Sequence, residues 1–193
     1  MFVIGNGESR KHININSLEE SKVGCNAIFR DYYTDYLVCV DKRMMQEALD
    51  SNVNQDRLVY TRPDWYNQFK GKKVREVPVL PYVGMDRPDL PLNWGSGPYA
   101  VLIGAKYTKI KEVHMIGFDL YGKDRKTNNI YKDTLNYNSS DKTAVDPSYW
   151  IYQISQVFKH FTECKFIVYQ DPKWNMPNQW NKDNVFLDKL SNL

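Results

Sequence analysis

Cysteine is scarce in this chain of 193 residues, with only Cys25, Cys39 and Cys164 and no Cys-x-x-Cys pair. An odd set at these spacings leaves no disulfide framework and no zinc ribbon. Two of the three sit in apolar runs and read as buried thiols in a reducing compartment. No apolar run approaches the roughly 18 residues of a membrane-spanning helix. The N-terminus has neither a basic n-region nor an apolar h-region, so no secretory signal is expected and the expected location is cytoplasmic. There is no Gly-Lys-Ser/Thr of a P-loop, no Asp-x-Asp metal pair, no internal repeat and no low-complexity tract. Histidine is limited to His12, His114 and His160. An excess of one charge is also lacking. The net charge of +3 permits an anionic ligand but falls short of a nucleic-acid footprint.

What is present is a chain long enough for one domain with a sizeable core, rich in aromatics at 14% and in tyrosine above all. Segments of strand length recur at Phe2–Ile4, Ser21–Ala27, Tyr36–Val40, Arg57–Tyr60, Val74–Leu80, Glu112–Phe118 and Lys165–Tyr169, with Tyr36–Val40 continuously apolar. Helical patterns separate some of them. Lys42–Leu49 is one, a stretch opened by Ser96-Gly97-Pro98 and running to about Tyr107 is another, and a third begins at Asp146-Pro147. This alternation predicts an α/β fold: a Rossmann-like open, mostly parallel sheet with helices on both faces. Residues 1–170 form the expected nucleotide-binding domain, with an inserted loop at 120–145 long enough to be functional, such as an acceptor lid. Residues 171–193 are expected as a C-terminal tail packed on the domain, with Trp174 and Trp180 as a latch.

Ligands of open α/β sheets bind beyond the carboxyl ends of the strands. Four segments fall at such ends or at the helix starts that follow: Gly5–Ser9, Asp41, Ser96–Gly97 and Asp119–Tyr121. The first, Gly5-Asn6-Gly7-Glu8-Ser9, predicts a glycine-flanked turn whose following helix start offers N–H groups to a phosphate. It is not a dinucleotide fingerprint, because Arg10 stands where the third glycine would be.

Taken in order, three of these segments and one further segment resemble the bacterial sialyltransferase family that caps lipooligosaccharides. Gly5-Asn6-Gly7-x-Ser9 is similar to its G-N-G-P-S opening and Gly24-Cys25-Asn26-x-x-Phe29 to its C-N-x-F segment. Ser96-Gly97-x-Tyr99-Ala100 resembles its S-G-x-Y helix start, and Gly117-Phe118-Asp119-Leu120-Tyr121 its G-I-D-F-Y strand end. The resemblance implies a metal-independent glycosyltransferase that uses a nucleotide sugar, CMP-linked or another pyrimidine nucleotide, as co-substrate without a further cofactor. Gly5, Asn6, Gly7, Ser9, Asn26, Ser96, Gly97 and Asp119 would bind the donor. Tyr121 and Tyr131 would donate phenolic hydroxyls to the leaving phosphate, where neutral donors stabilise developing charge.

The sequence departs from that pattern at two places. Glu8 replaces the family proline and puts a carboxylate beside the expected phosphate site. The family's catalytic histidine has no counterpart; its place falls near Asp146, which then becomes the candidate general base, with Asp119 and Asp41 behind it. Asp before Pro is also an ordinary helix start. Three other functions compete: a nucleotide-binding protein without catalysis, a glycosyltransferase acting on a hydroxylated DNA base, and a diphosphokinase-like enzyme with metal on Asp41 and Asp119. The acceptor, a glycan or a modified base, is left open, and a homo-oligomer is compatible with the sequence.

Overall fold

Short runs of β-branched and aliphatic residues form the sheet. In a computed structural model describing residues 1–193 the strands are β1 (Phe2–Ile4), β2 (Lys22–Cys25), β3 (Tyr36–Val38), β4 (Leu58–Thr61), β5 (Val74–Glu76), β6 (Glu112–Ile116), β7 (Lys165–Gln170) and β8 (Val185–Lys189). They make one eight-stranded sheet in the order β5-β4-β3-β2-β1-β6-β7-β8. Every pairing is parallel, with Val3 opposite Val23 on one side and Met115 on the other. The sheet is therefore wholly parallel. Sequence reading left β8 inside the tail. Phe186 and Leu187 on this edge strand are half exposed and give no clear period.

The helices are α1 (Lys42–Asp50), α2 (Pro63–Phe69), α3 (Ser96–Tyr107) and α4 (Ser148–His160). Alternate residues of each strand point to opposite faces, and each face has its own core. On one face Val3, Val23, Val113, Met115 and Phe166 pack against α3 and α4. On the other Ile4, Leu37, Val59 and Ile116 pack against Met44, Met45 and Ala48 of α1 and Phe69 of α2. Gly104 brings α3 onto β1, since a Cβ there would collide with Val3. No helix is long and apolar enough to cross a membrane.

The Tyr60–Tyr66 segment holds the start of α2, with Pro63 at its first turn, where a missing N–H costs nothing. One local expectation changes. No α-helix follows Gly5–Ser9; the chain makes 3-10 turns at Glu8–His12 and Ile15–Ser17 instead. A helix N-terminus is thus absent after β1, and α3 is where a long helix begins beside the strand ends.

The long 120–145 segment is fastened at its middle and does not hang free. Arg30 pairs with Glu47 through two bonds of 2.7 and 2.8 Å and donates to the Thr134 hydroxyl and the Leu135 carbonyl. Asn136 donates to the same Glu47 at 2.7 Å. These contacts, the Arg30 hydrogen bonds foremost, hold the Glu47 carboxyl below its ordinary range. Such a group stabilises the fold above its unfolded pKa of about 4.3, and that contribution is lost as pH falls through the lower folded value. Glu47→Gln is expected to cost about 1 kcal/mol at neutral pH and to reduce the loss of stability between about pH 5 and about pH 3. Urea unfolding of both proteins across that range checks it; parallel curves would remove Glu47 from the account.

Candidate functional site

The strand order reverses between β1 and β6, and the cleft opens beyond their carboxyl ends. This is where open α/β sheets hold ligands. The cleft has a volume of about 320 Å³. Its floor is Gly5-Asn6-Gly7 after β1 and Gly117-Phe118-Asp119-Leu120 after β6. Its sides are Asn26, Asp41, Gly95-Ser96-Gly97 at the start of α3, and Trp150 and Ile154 of α4.

Gly5 and Gly7 are required by neighbours within the chain. A Cβ on Gly5 would stand 3.0 Å from the Gly117 carbonyl carbon and closer still to its oxygen. A Cβ on Gly7 would run into the Asp119 carboxylate. Neither has a positive φ; among the glycines only Gly117 does, at 73°. Gly97 differs. A Cβ there would meet only the Phe118 ring edge, at an ordinary 3.5 Å. Packing does not demand this glycine, and its missing side chain opens the helix start to the cleft.

The expected polar residues divide into those that hold the site and those that face it. Asn6 is buried and committed: its amide donates to the Cys25 carbonyl at 3.0 Å and to the Tyr137 hydroxyl at 3.3 Å, and its oxygen accepts from Arg10. Asn26 sits in the left-handed region at φ 52°. Its oxygen accepts from the Ser96 hydroxyl at 2.8 Å, and Ser96 in turn accepts the Val40 N–H. The Asn26 amide nitrogen has no partner in the chain. Leu120, also on the cleft, is left-handed at φ 63°. Backbone strain of this kind persists where surrounding structure over-determines it. Asp119 is 7% exposed and accepts from the Ser9 N–H at 2.9 Å, the Ser9 hydroxyl and Gln170. Ser9 therefore stands behind the cleft wall, tying the 3-10 turn to β6.

The remaining expected residues lie elsewhere. Tyr131 is buried, donates to Asp31 at 2.8 Å and accepts from Arg10 at 3.2 Å, so its hydroxyl serves the packing of the loop. Asp146 is exposed and accepts the Ser148 N–H at 2.9 Å, fixing the entry to α4. Neither lines the cleft. Tyr121 is not among the residues lining the cleft either, though it follows Leu120, which is; it is 42% exposed, its ring tilted against Trp174. Partial burial raises its phenol above the usual range, so it keeps its proton at neutral pH. Glu8 turns to Lys132 at 2.7 Å and is not a cleft residue, which removes the repulsion its position suggested. His114 bonds the Tyr169 hydroxyl and His160 its own helix.

Sequence reading missed Arg10. It is 2% exposed and touches no carboxylate; its guanidinium donates to the Gly5 carbonyl at 2.7 Å, the Asn6 side chain and the Tyr131 hydroxyl. It lies 5.9 Å from the Tyr32 ring and 5.7 Å from that of Tyr131. Its only local signal is its place, three residues after Gly7. Trp150 was noted only as part of an apolar face; it also lines the cleft, 37% exposed, with no partner for its indole N–H.

The charged groups lining the cleft are Asp41 and Asp119, and no lysine, arginine or histidine is among them. Positive potential comes from α3, whose Ser96 and Gly97 N–H groups lack intrahelical acceptors. Asp41, which lines the cleft, caps α1 with one oxygen, at 2.8 Å from the Arg43 N–H, and its other oxygen accepts no hydrogen bond within the chain. No protein-family model, curated protein or solved structure matches the chain.

Proposed function

We propose that the chain is a glycosyltransferase of the sialyltransferase-like type, moving a sugar from a pyrimidine nucleotide donor to an acceptor hydroxyl without a metal. The observation that carries the reading is convergence. Gly5-Asn6-Gly7, Asn26, Ser96-Gly97 and Asp119 come from four separate stretches of sequence and line one cleft at the switch point. In this reading the donor phosphate lies on the Ser96 and Gly97 N–H groups, with the Asn26 amide beside it. The acceptor oxygen attacks the anomeric carbon as the bond from that carbon to the phosphate oxygen breaks. The nucleotide leaves with that electron pair, and the Tyr121 hydroxyl, one residue beyond the cleft-lining Leu120, hydrogen-bonds the departing phosphate. Asp41 takes the acceptor proton in place of Asp146, because it is the cleft carboxylate with an uncommitted oxygen.

A second reading, nucleotide binding without transfer, is favoured by one observation: the cleft lacks a histidine. Two measurements separate them. Cytidine and uridine nucleotides should raise the melting temperature equally with and without Mg²⁺, because a ligand that binds only the folded state stabilises it. No shift at millimolar nucleotide sinks both readings, and a shift that requires Mg²⁺ returns the diphosphokinase alternative. Asp41→Asn should then keep the shift and lower transfer or donor hydrolysis by about 10²–10⁴-fold. Unchanged turnover removes Asp41 as the base; a shift with no turnover in the unmodified protein leaves binding alone.

A further inference from the structure

A second recess, of about 750 Å³, lies at the other end of the strands, where β3, β4 and β5 begin. Its wall combines Tyr33 and Tyr66 with Arg57, Lys70, Lys73 and Arg75. The two carboxylates that share it are engaged. Asp56 pairs with Arg57 at 3.1 Å, and Asp35 accepts the Lys22 N–H at 2.7 Å. Lys70, Lys73 and Arg75 have no carboxylate partner, and Lys73 only reaches the Gln55 side chain at 3.3 Å. Four cations against two carboxylates leave the recess positively charged.

The aromatic side of the wall is preorganised. The Arg57 guanidinium lies 4.6 Å from the centre of the Tyr33 ring and is held there by Asp56 and the Tyr32 carbonyl. Tyr33 is fixed as well, its hydroxyl donating to the Asp56 carbonyl at 3.2 Å, yet it is 45% exposed. A half-exposed ring held in place by its hydroxyl and a neighbouring cation is a stacking platform that loses little freedom on binding. Unpaired cations beside a stacking platform suit a phosphate joined to a flat base.

We infer that this recess binds a nucleotide unit, free or within a single strand, with its phosphate on Lys70, Lys73 and Arg75 and its base on Tyr33. It is separate from the carboxyl-edge cleft, so a strand held here is anchored, not presented for reaction. The inference does not depend on the proposed transfer.

The test is fluorescence anisotropy with a labelled oligothymidylate of about twelve residues and with the matching oligouridylate, using the full chain. Binding is expected. With three phosphates neutralised on a single strand, affinity should fall about 20-fold between about 50 and about 200 mM salt. The Lys70→Glu/Lys73→Glu/Arg75→Glu variant changes only exposed side chains and should bind at least ten-fold more weakly. Tyr33→Ala should weaken binding while leaving the salt slope unchanged. Gly97→Ala, in the other cleft, should bind as the unmodified chain does. Displacement by millimolar thymidine 5′-monophosphate shows that the free nucleotide suffices, and failure to displace assigns the site to the strand; both support the inference. It is overturned by absence of binding at the lower salt, by unweakened binding in both the triple variant and Tyr33→Ala, or by loss of binding in Gly97→Ala.

Discussion

Arg10→Ala should lower stability by about 3–5 kcal/mol, a drop in Tm on the order of 10 °C, although position 10 lies in a 3-10 turn. The reason is what the guanidinium holds. It is the shared donor to the Gly5 carbonyl, the Asn6 side chain and the Tyr131 hydroxyl, and all three are buried or nearly so. Alanine leaves those acceptors unmet in a space that water enters only by opening the structure. It also removes the cation between Tyr32 and Tyr131. Arg10→Lys should recover little, because one ammonium cannot reproduce the planar fork. Loosening should spread to the 130–137 stretch, which Tyr131 anchors, and show there as faster proteolysis. Urea unfolding of the three proteins decides it: a loss below about 1 kcal/mol for Arg10→Ala would mean that the network is carried by its other members.

Two glycine-to-alanine changes on the cleft should have opposite signatures. Gly5→Ala should cost about 3 kcal/mol, because the new methyl meets the Gly117 backbone, which cannot yield without moving β6. Gly97→Ala meets nothing within the chain closer than an ordinary contact and should leave stability unchanged or raise it by about 0.5–1 kcal/mol. The same methyl stands over the N–H groups at the start of α3. There it should weaken nucleotide binding at least ten-fold, about 1.4 kcal/mol, read as loss of the ligand-induced rise in Tm. A stable Gly97→Ala protein with the full nucleotide shift would show that the phosphate, if bound, lies elsewhere. An unstable one would show that this glycine serves folding.

The start of α3 illustrates what the sequence made legible. Ser96-Gly97-Pro98 followed by small and aliphatic residues carries both a helix signal and a packing signal, and Ser96–Tyr107 forms as expected. Strand Tyr36–Val38 was equally readable, because burial on both faces makes it part of a continuous apolar run, and Glu112–Ile116 was legible from its buried Val113, Met115 and Ile116. Edge strand β8 was not, since half-exposed Phe186 and Leu187 give no alternation. The short helix α2 hid behind Trp65 and Tyr66, residues that suit a loop as well as a helix. At the site, the strand-end residues that line the cleft could be named from their positions. The division of labour could not. Whether Asn6 or Asn26 keeps an amide for a ligand, and whether Tyr131 faces a cleft or an arginine, depends on which distant segment closes over it. Asp31, Asp41 and Arg10 acquire their roles from contacts of that kind.

The strand order carries a consequence for how the molecule assembles. β1 to β5 add outward in sequence, each beside the last, whereas β6 must return to the far side of β1. Val3 and Met115 pair only after the whole intervening chain has been closed into a loop, an entropic cost on the order of 4 kcal/mol from chain length alone. That seam should therefore be the slow step of folding, formed after the two halves of the sheet have each taken shape. The cleft lies across it, with Gly5 and Asn26 on one half and Phe118 and Trp150 on the other. A ligand in the cleft would clasp the two halves together and slow their parting.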